Sequence, residues 1–193
     1  MYLKAFQILE GNVKAQLDAL DPRLTYHTIE HTYDVVSCVE RIATSENIID
    51  QKIIYLLKVA ALYHDTGFLY TYIGHEKKSC SIFLSAPAIA YIDEADRKLV
   101  TELIMATRVP QEPKTLLQQI ICDADLDYLG RPGFSIISHK LKTELLNYGF
   151  ITTDDEWDQL QLNFMRMHSY HTHTSKILRE PAKQNNYKQL LLY

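Results

Sequence analysis

The chain has 193 residues, of which 47% are hydrophobic and 23% charged, with a formal net charge of −4. This length and apolar content suit one globular domain with a buried core and exclude a disordered chain, while six Gly and six Pro are too few for a collagen-like or linker-rich one. Twenty Lys and Arg against 24 Asp and Glu leave no basic surplus for strong nucleic-acid binding. The apolar runs are too short for a membrane span. The opening MYLKAFQILEGNVK carries Lys4 and Glu10 where a signal-peptide core would lie. Cys38, Cys80 and Cys122 are odd in number and far apart, as expected of reduced, buried thiols. A cytoplasmic location is expected.

Apolar spacing is helical almost throughout. Leu3, Phe6, Val13, Leu17 and Leu20 mark a first amphipathic helix, broken at Asp21-Pro22. His31, Val35, Val39 and Ile42 form a second stripe. Ile53, Leu57, Ala60 and His64 form a third, with Asp65 in its last turn and Gly67 as the residue that ends it. Further helices are predicted over 75–85, stopped near Pro87, and over 93–107, stopped before Pro110. A shorter one begins at Leu116 and closes in the Gly130-Arg131-Pro132-Gly133 turn. Next comes a helix over 134–148, with Gly149 as its stop, then one capped by Asp154. A last stretch runs from Thr172 to the end, interrupted by Pro181. No segment alternates with period two, so an all-α fold is expected, as a single domain over 1–193.

The chemistry concentrates in three places. His64 continues an apolar stripe, so its ring should point inward, and Asp65 beside it opposes the partial negative charge of a helix C-terminus. A bound cation would remove that conflict. His31 lies on another apolar stripe. The run Cys122-Asp123-Ala124-Asp125-Leu126-Asp127 then delivers three carboxylates behind an apolar segment. Such groups are either a solvated acidic turn or buried partners of cations, since a buried lone carboxylate is costly. Two imidazoles and two carboxylates converging in a helical core would suit a divalent transition metal.

The blocks YHTIEHTYDVVSCVERIA, LLKVAALYHDTGFLY, GHEKKSCSIFL and IICDADLDYLG, in this order over residues 26–130, resemble the HD-domain metal-dependent phosphohydrolases. The segment NFMRMHSYHTHTSKILRE resembles the last helices of small stand-alone members, which places C-terminal helices over 134–193. The resemblance implies an HD-type helical bundle. It implies one divalent ion (Mn, Fe, Co, Ni, Zn or Mg) held by His31, His64, Asp65 and Asp125, with Asp123 the close competitor of Asp125. Asp65 or Asp123 would orient or deprotonate the attacking water. His75 and Glu76 match a position that in some members reaches a second metal or the substrate phosphate. Thr107 stands where many members have a His, which argues against a second metal. HDTGFLY lacks the Lys after Gly of the cyclic-dinucleotide branch. The implied substrate is a small phosphorylated molecule, a nucleotide or a phosphorylated metabolite.

Arg108, with Lys77, Lys78 and Arg131, is a candidate phosphate clamp. His27 is expected at the mouth of the site or at the helix start. Two rival functions are open. One is a non-catalytic metal- or nucleotide-binding signalling module. The other starts from His27-Thr-Ile-Glu30-His31, an H-x-x-E-H pattern that on one helix would chelate zinc with Glu30 as base, as in inverted zincins. It leaves His64, Asp65 and the Asp run unexplained. His168, His171 and His173 do not share a helix face and fit a hydrogen-bonded turn. Tyr26, Tyr63, Tyr70 and Tyr72 are expected to pack in the core.

Overall fold

The computed structural model describes residues 2–87, 89 and 92–192. Among them lie ten α-helices and no strand. In chain order these are α1 (Tyr2–Leu17), α2 (Ile29–Ser45), α3 (Gln51–Tyr63), α4 (His75–Leu84), α5 (Glu94–Ala106), α6 (Leu116–Asp125), α7 (Phe134–Asn147), α8 (Asp154–Met167), α9 (His173–Leu178) and α10 (Glu180–Leu190). The fold is an all-α bundle. No helix among the described residues is long and apolar enough to cross a membrane.

α3 is the axis of the bundle. Its segment from Val59 to Tyr63 is buried on every side, as a helix that is apolar all round must be. It packs against α1, α2, α4, α5 and α6. α2 shows it Val35, Val39 and Ile42 along the predicted stripe. α1 buries Phe6, Leu9, Val13 and Leu17. Leu3 does not belong to that face: it is 70% exposed, while its neighbour Tyr2, one helical turn before Phe6, stacks on Tyr55 of α3. A second apolar cluster gathers Tyr26, Tyr128, Leu129, Phe134, Met165 and Tyr170, joining α7 and α8 to the segment after α6.

Three local expectations need correction. α3 ends at Tyr63, so Asp65 lies beyond the helix rather than in its last turn. The cause is local: the His64 ring donates from Nδ1 to the Ala61 carbonyl at 2.7 Å, and Thr66 Oγ1 donates to the Tyr63 carbonyl at 2.8 Å. Side chains thereby take carbonyls that a further helical turn would have used. A 3-10 turn over Thr66–Leu69 follows. Gly67 is in that turn for closeness, not for a left-handed cap: a Cβ there would lie 2.0 Å from the His75 carbonyl oxygen. Finally, Thr153 rather than Asp154 caps α8, in a capping box with Glu156.

The C-terminal helices are tied down through Asp127, whose carboxylate is fully buried. It accepts from Arg41 Nη2 at 2.8 Å, Arg131 Nε at 2.5 Å and Arg179 Nε at 2.9 Å. One carboxylate so links α2, the turn after α6 and the α9–α10 junction. Gly130 lets that junction approach, since a Cβ there would meet the Arg179 carbonyl at 2.4 Å. Pro181 sits at the start of α10, where its missing N–H costs nothing. α10 ends at Leu190, and Tyr193 lies outside the described residues.

Candidate metal centre and adjoining cavity

Three helix ends meet at one point. His31 is in the first turn of α2, His64 directly follows α3 with Asp65 behind it, and Asp125 is the last residue of α6. His31 Nε2 lies 3.4 Å from His64 Nε2, 3.4 Å from Asp65 Oδ2 and 3.3 Å from Asp125 Oδ1. His64 Nε2 lies 3.1 Å from Asp65 Oδ2 and 3.5 Å from Asp125 Oδ1.

The donor atoms of His31, His64 and Asp65 all lie within 4.8 Å of one another, as ligands on one ion do, and Asp125 approaches both histidines at the same range. At metal–ligand distances of about 2.0–2.2 Å, neighbouring ligands of a tetrahedral or octahedral ion sit roughly 2.8–3.6 Å apart. Asp65 Oδ2 is buried and makes no hydrogen bond. It is close enough to His64 Nε2 for one but wrongly angled, a conflict that a shared cation would resolve. The bond from His64 Nδ1 to Ala61 puts the free lone pair of a neutral ring on Nε2, facing the other donors. Gln111 Nε2 donates to Asp125 Oδ2 at 3.2 Å and leaves Oδ1 for the cluster.

Electrostatics follow from the same proximity. Burial pushes both imidazoles toward neutrality, but Asp125 and Asp65 outweigh it and hold His31 at a pKa of about 9 and His64 well above its usual range. Burial works the other way on the carboxyls, and the two histidines nevertheless draw Asp125 down to about 2 and Asp65 well below the carboxylate range. Each imidazole and each carboxyl thus favours its charged form beside the others.

Beside it opens a cavity of about 570 Å³. Asp65, Asp125, His27, His75 and Glu76 line one end of it. His75 Nε2 is 3.5 Å from Asp65 Oδ1 and 3.7 Å from Glu76 Oε1, and its Nδ1 donates to the Tyr72 carbonyl at 3.0 Å. The His27 ring bonds through Nδ1 to Glu144 Oε1.

Several expected residues lie elsewhere. Asp123 is fully buried but faces α9, where it accepts from His171 N at 2.9 Å, Thr172 N at 2.8 Å and Thr172 Oγ1 at 2.7 Å. Three hydrogen bonds hold its carboxylate on that segment, which faces it away from His31. Arg108 is exposed and does not line the cavity. Arg131 is committed to Asp127 and Asp34, and Lys78 lies over the Tyr70 ring at 4.3 Å. The zincin arrangement fails because α2 starts at Ile29: His27 precedes the helix, its ring is held by Glu144, and Glu30 is exposed. Of the four tyrosines expected in the core, Tyr70 is 69% exposed, as it sits at the outer end of the 3-10 turn.

Two residues with positions in the site were not legible beforehand. Glu144, buried on α7, accepts from Tyr26 N at 2.8 Å, His27 N at 3.0 Å and Tyr72 Oη at 2.8 Å. Gln111 reaches Asp125 from the α5–α6 connection. In sequence Glu144 is one polar residue of an amphipathic helix, and nothing local marks it as buried.

The HD domain family model matches residues 28–127, just over half of the chain, and the chain belongs to the HD domain family. The match contains the metal cluster, His75 and Glu76. Comparison with curated proteins and with solved structures returned no match.

Proposed function

We propose that this protein hydrolyses a phosphate ester of a small molecule, using one divalent ion held by His31, His64, Asp65 and Asp125. The observation that carries the reading is the convergence of four donor atoms, 3.1–3.5 Å apart wherever a nitrogen is one of the pair, on the wall of a ligand-sized cavity. Membership of a family rich in metal-dependent phosphohydrolases supports it. When bound, the ion supplies a Lewis acid for a phosphoryl oxygen and lowers the pKa of a water.

The chain's own groups do the rest. Asp65 has a second oxygen, Oδ1, that faces His75 rather than the cluster, so it ties the metal ligands to the proton-carrying side of the site. His75, with Nε2 3.5 Å from Asp65 Oδ1 and 3.7 Å from Glu76 Oε1, is the group that passes a proton to the leaving oxygen as the ester bond breaks. Glu144 fixes the His27 ring at the cavity wall, where it lies edge-on to His31 with ring centres 5.9 Å apart. His27 and Glu76 border the space left for the phosphate and position it.

The test is a screen of phosphate esters with protein loaded in turn with Mn²⁺, Fe²⁺, Co²⁺, Ni²⁺, Zn²⁺ and Mg²⁺. Turnover that needs the metal and disappears in Asp125→Asn supports the reading. Absence of turnover with every metal, in protein shown to hold an ion, overturns it.

A further inference from the structure

The cavity beside the cluster has two unlike ends, and the far end bears on what the ester carries. Phe134, Leu141, Trp157, Phe164 and Met165 line it. Trp157 and Phe134 are each 5% exposed and Met165 1%, so this part of the wall is buried, while Leu160 and Phe150, about half exposed, line the cavity where it reaches the surface. Two of its polar groups are already engaged: the Tyr72 hydroxyl donates to Glu144, and the Gln161 amide nitrogen donates to Ser138. The hydroxyls of a sugar or a base edge set against the apolar side chains would lose water with few partners in return, at about 1–3 kcal/mol for each unpaired polar group.

Charge restricts the other end. Among the described residues lining the cavity there is no Lys or Arg, while Asp65, Asp125 and Glu76 are all present. A divalent ion would offset the first two and leave the third. A di- or triphosphate chain needs several cationic donors to neutralise it, and this wall offers none beyond its histidines.

We propose, on the basis of the phosphohydrolase reading above, that the substrate is a phosphate monoester of an apolar alcohol, alkyl or aryl, whose hydrocarbon part occupies the Trp157 end of the cavity. Water forms the new bond to phosphorus and the ester P–O bond breaks with its electron pair on the departing oxygen. That oxygen takes one proton to give the alcohol, and inorganic phosphate leaves with the other. No further reactant is needed.

Two measurements on metal-loaded full-length protein test this. In the first, the chain's one tryptophan, Trp157, serves as reporter in titrations with the non-hydrolysable hexylphosphonate and phenylphosphonate, and with ATP and glucose 6-phosphate. Saturable fluorescence changes are expected with the two phosphonates and none with the polar pair. The second measures kcat/KM for methyl, butyl and hexyl phosphate. Burial of each methylene should raise it roughly fourfold, and Leu141→Phe, which narrows that end, should lower the hexyl-to-methyl ratio about tenfold. If that variant fails to fold, the alkyl series decides alone. Hydrolysis that is flat or falls with chain length, or that prefers AMP, ATP or glucose 6-phosphate, overturns the substrate assignment and leaves the phosphohydrolase reading standing. Failure to hydrolyse any ester overturns both.

Discussion

Asp123 and Asp125 stand two residues apart near the end of α6 and send their carboxylates to opposite sides of it. Asp125 Oδ1 lies 3.3 Å from His31 Nε2, while Asp123 accepts the backbone N–H groups of His171 and Thr172. Two steps along an α-helix turn the side chain by about 200°, so only one of the pair can face the histidines.

Exchange of these carboxylates for amides should therefore have separable effects. Asp125→Asn should lose metal and leave the fold near wild-type stability. Asp123→Asn should keep metal and lower the unfolding free energy by about 1–3 kcal/mol, since an amide nitrogen would then meet hydrogen-bond donors. Metal titration and chemical denaturation of both variants check this. Loss of metal in Asp123→Asn with none in Asp125→Asn would reverse the assignment.

What the sequence makes legible follows from what is local. His31 on the stripe of Val35, Val39 and Ile42 announces its own direction, because helical period and burial coincide there. His64 stands out for the same reason, whereas Asp65 does not face a helix C-terminus as expected, since α3 stops short of it. The Asp run was visible as a cluster but not as three carboxylates with three destinations: α9, the histidines and the arginines around Asp127. Those destinations depend on partners far along the chain. Glu144 is 117 residues from His27, and no local pattern carries such a contact. Arg108 illustrates the converse, as nearness in sequence to a motif does not bring a side chain into the cavity.

His75 should behave as a proton donor to the leaving oxygen. His75→Asn should cut kcat by about 10²–10⁴ for esters of ordinary alcohols, the range for a lost acid–base group, and far less for 4-nitrophenyl phosphate, whose leaving group needs no proton. Bound metal should be retained. An equal loss for both kinds of ester would remove this role from His75.

Asp127 should matter for stability rather than for metal. Asp127→Asn leaves Arg41, Arg131 and Arg179 without their shared buried carboxylate. Breaking a buried pair costs about 3–5 kcal/mol, and the partial exposure of all three arginines puts the expected loss at the lower end. Urea unfolding measures it, with unchanged metal content as the control. A variant as stable as the wild type would contradict the account of how the C-terminal helices are held.

Acid should weaken the fold through His168. Its burial, with Lys183 Nζ 3.3 Å from Nδ1, lowers its pKa to about 3 from an ordinary value near 6.5. Above pH 6.5 both folded and unfolded states carry it neutral, and its contribution is fully present. As pH falls from 6.5 toward 3 the unfolded chain binds a proton that the native state refuses, so stability declines by at most about 1.4 kcal/mol per pH unit from this group. Denaturation midpoints from pH 7.5 to 4.5 should fall less steeply in His168→Gln than in the wild type. Parallel slopes would show that His168 is not the group responsible.

Metal content measures the central claim most directly. Protein loaded with Mn²⁺ or Ni²⁺, dialysed and subjected to elemental analysis should carry one ion per chain, and Asp65→Asn, which keeps the shape of the side chain and removes its charge, should carry almost none. A wild type that retains no ion, or an Asp65→Asn variant that retains a full equivalent, would contradict the assignment of His31, His64, Asp65 and Asp125 as the metal centre.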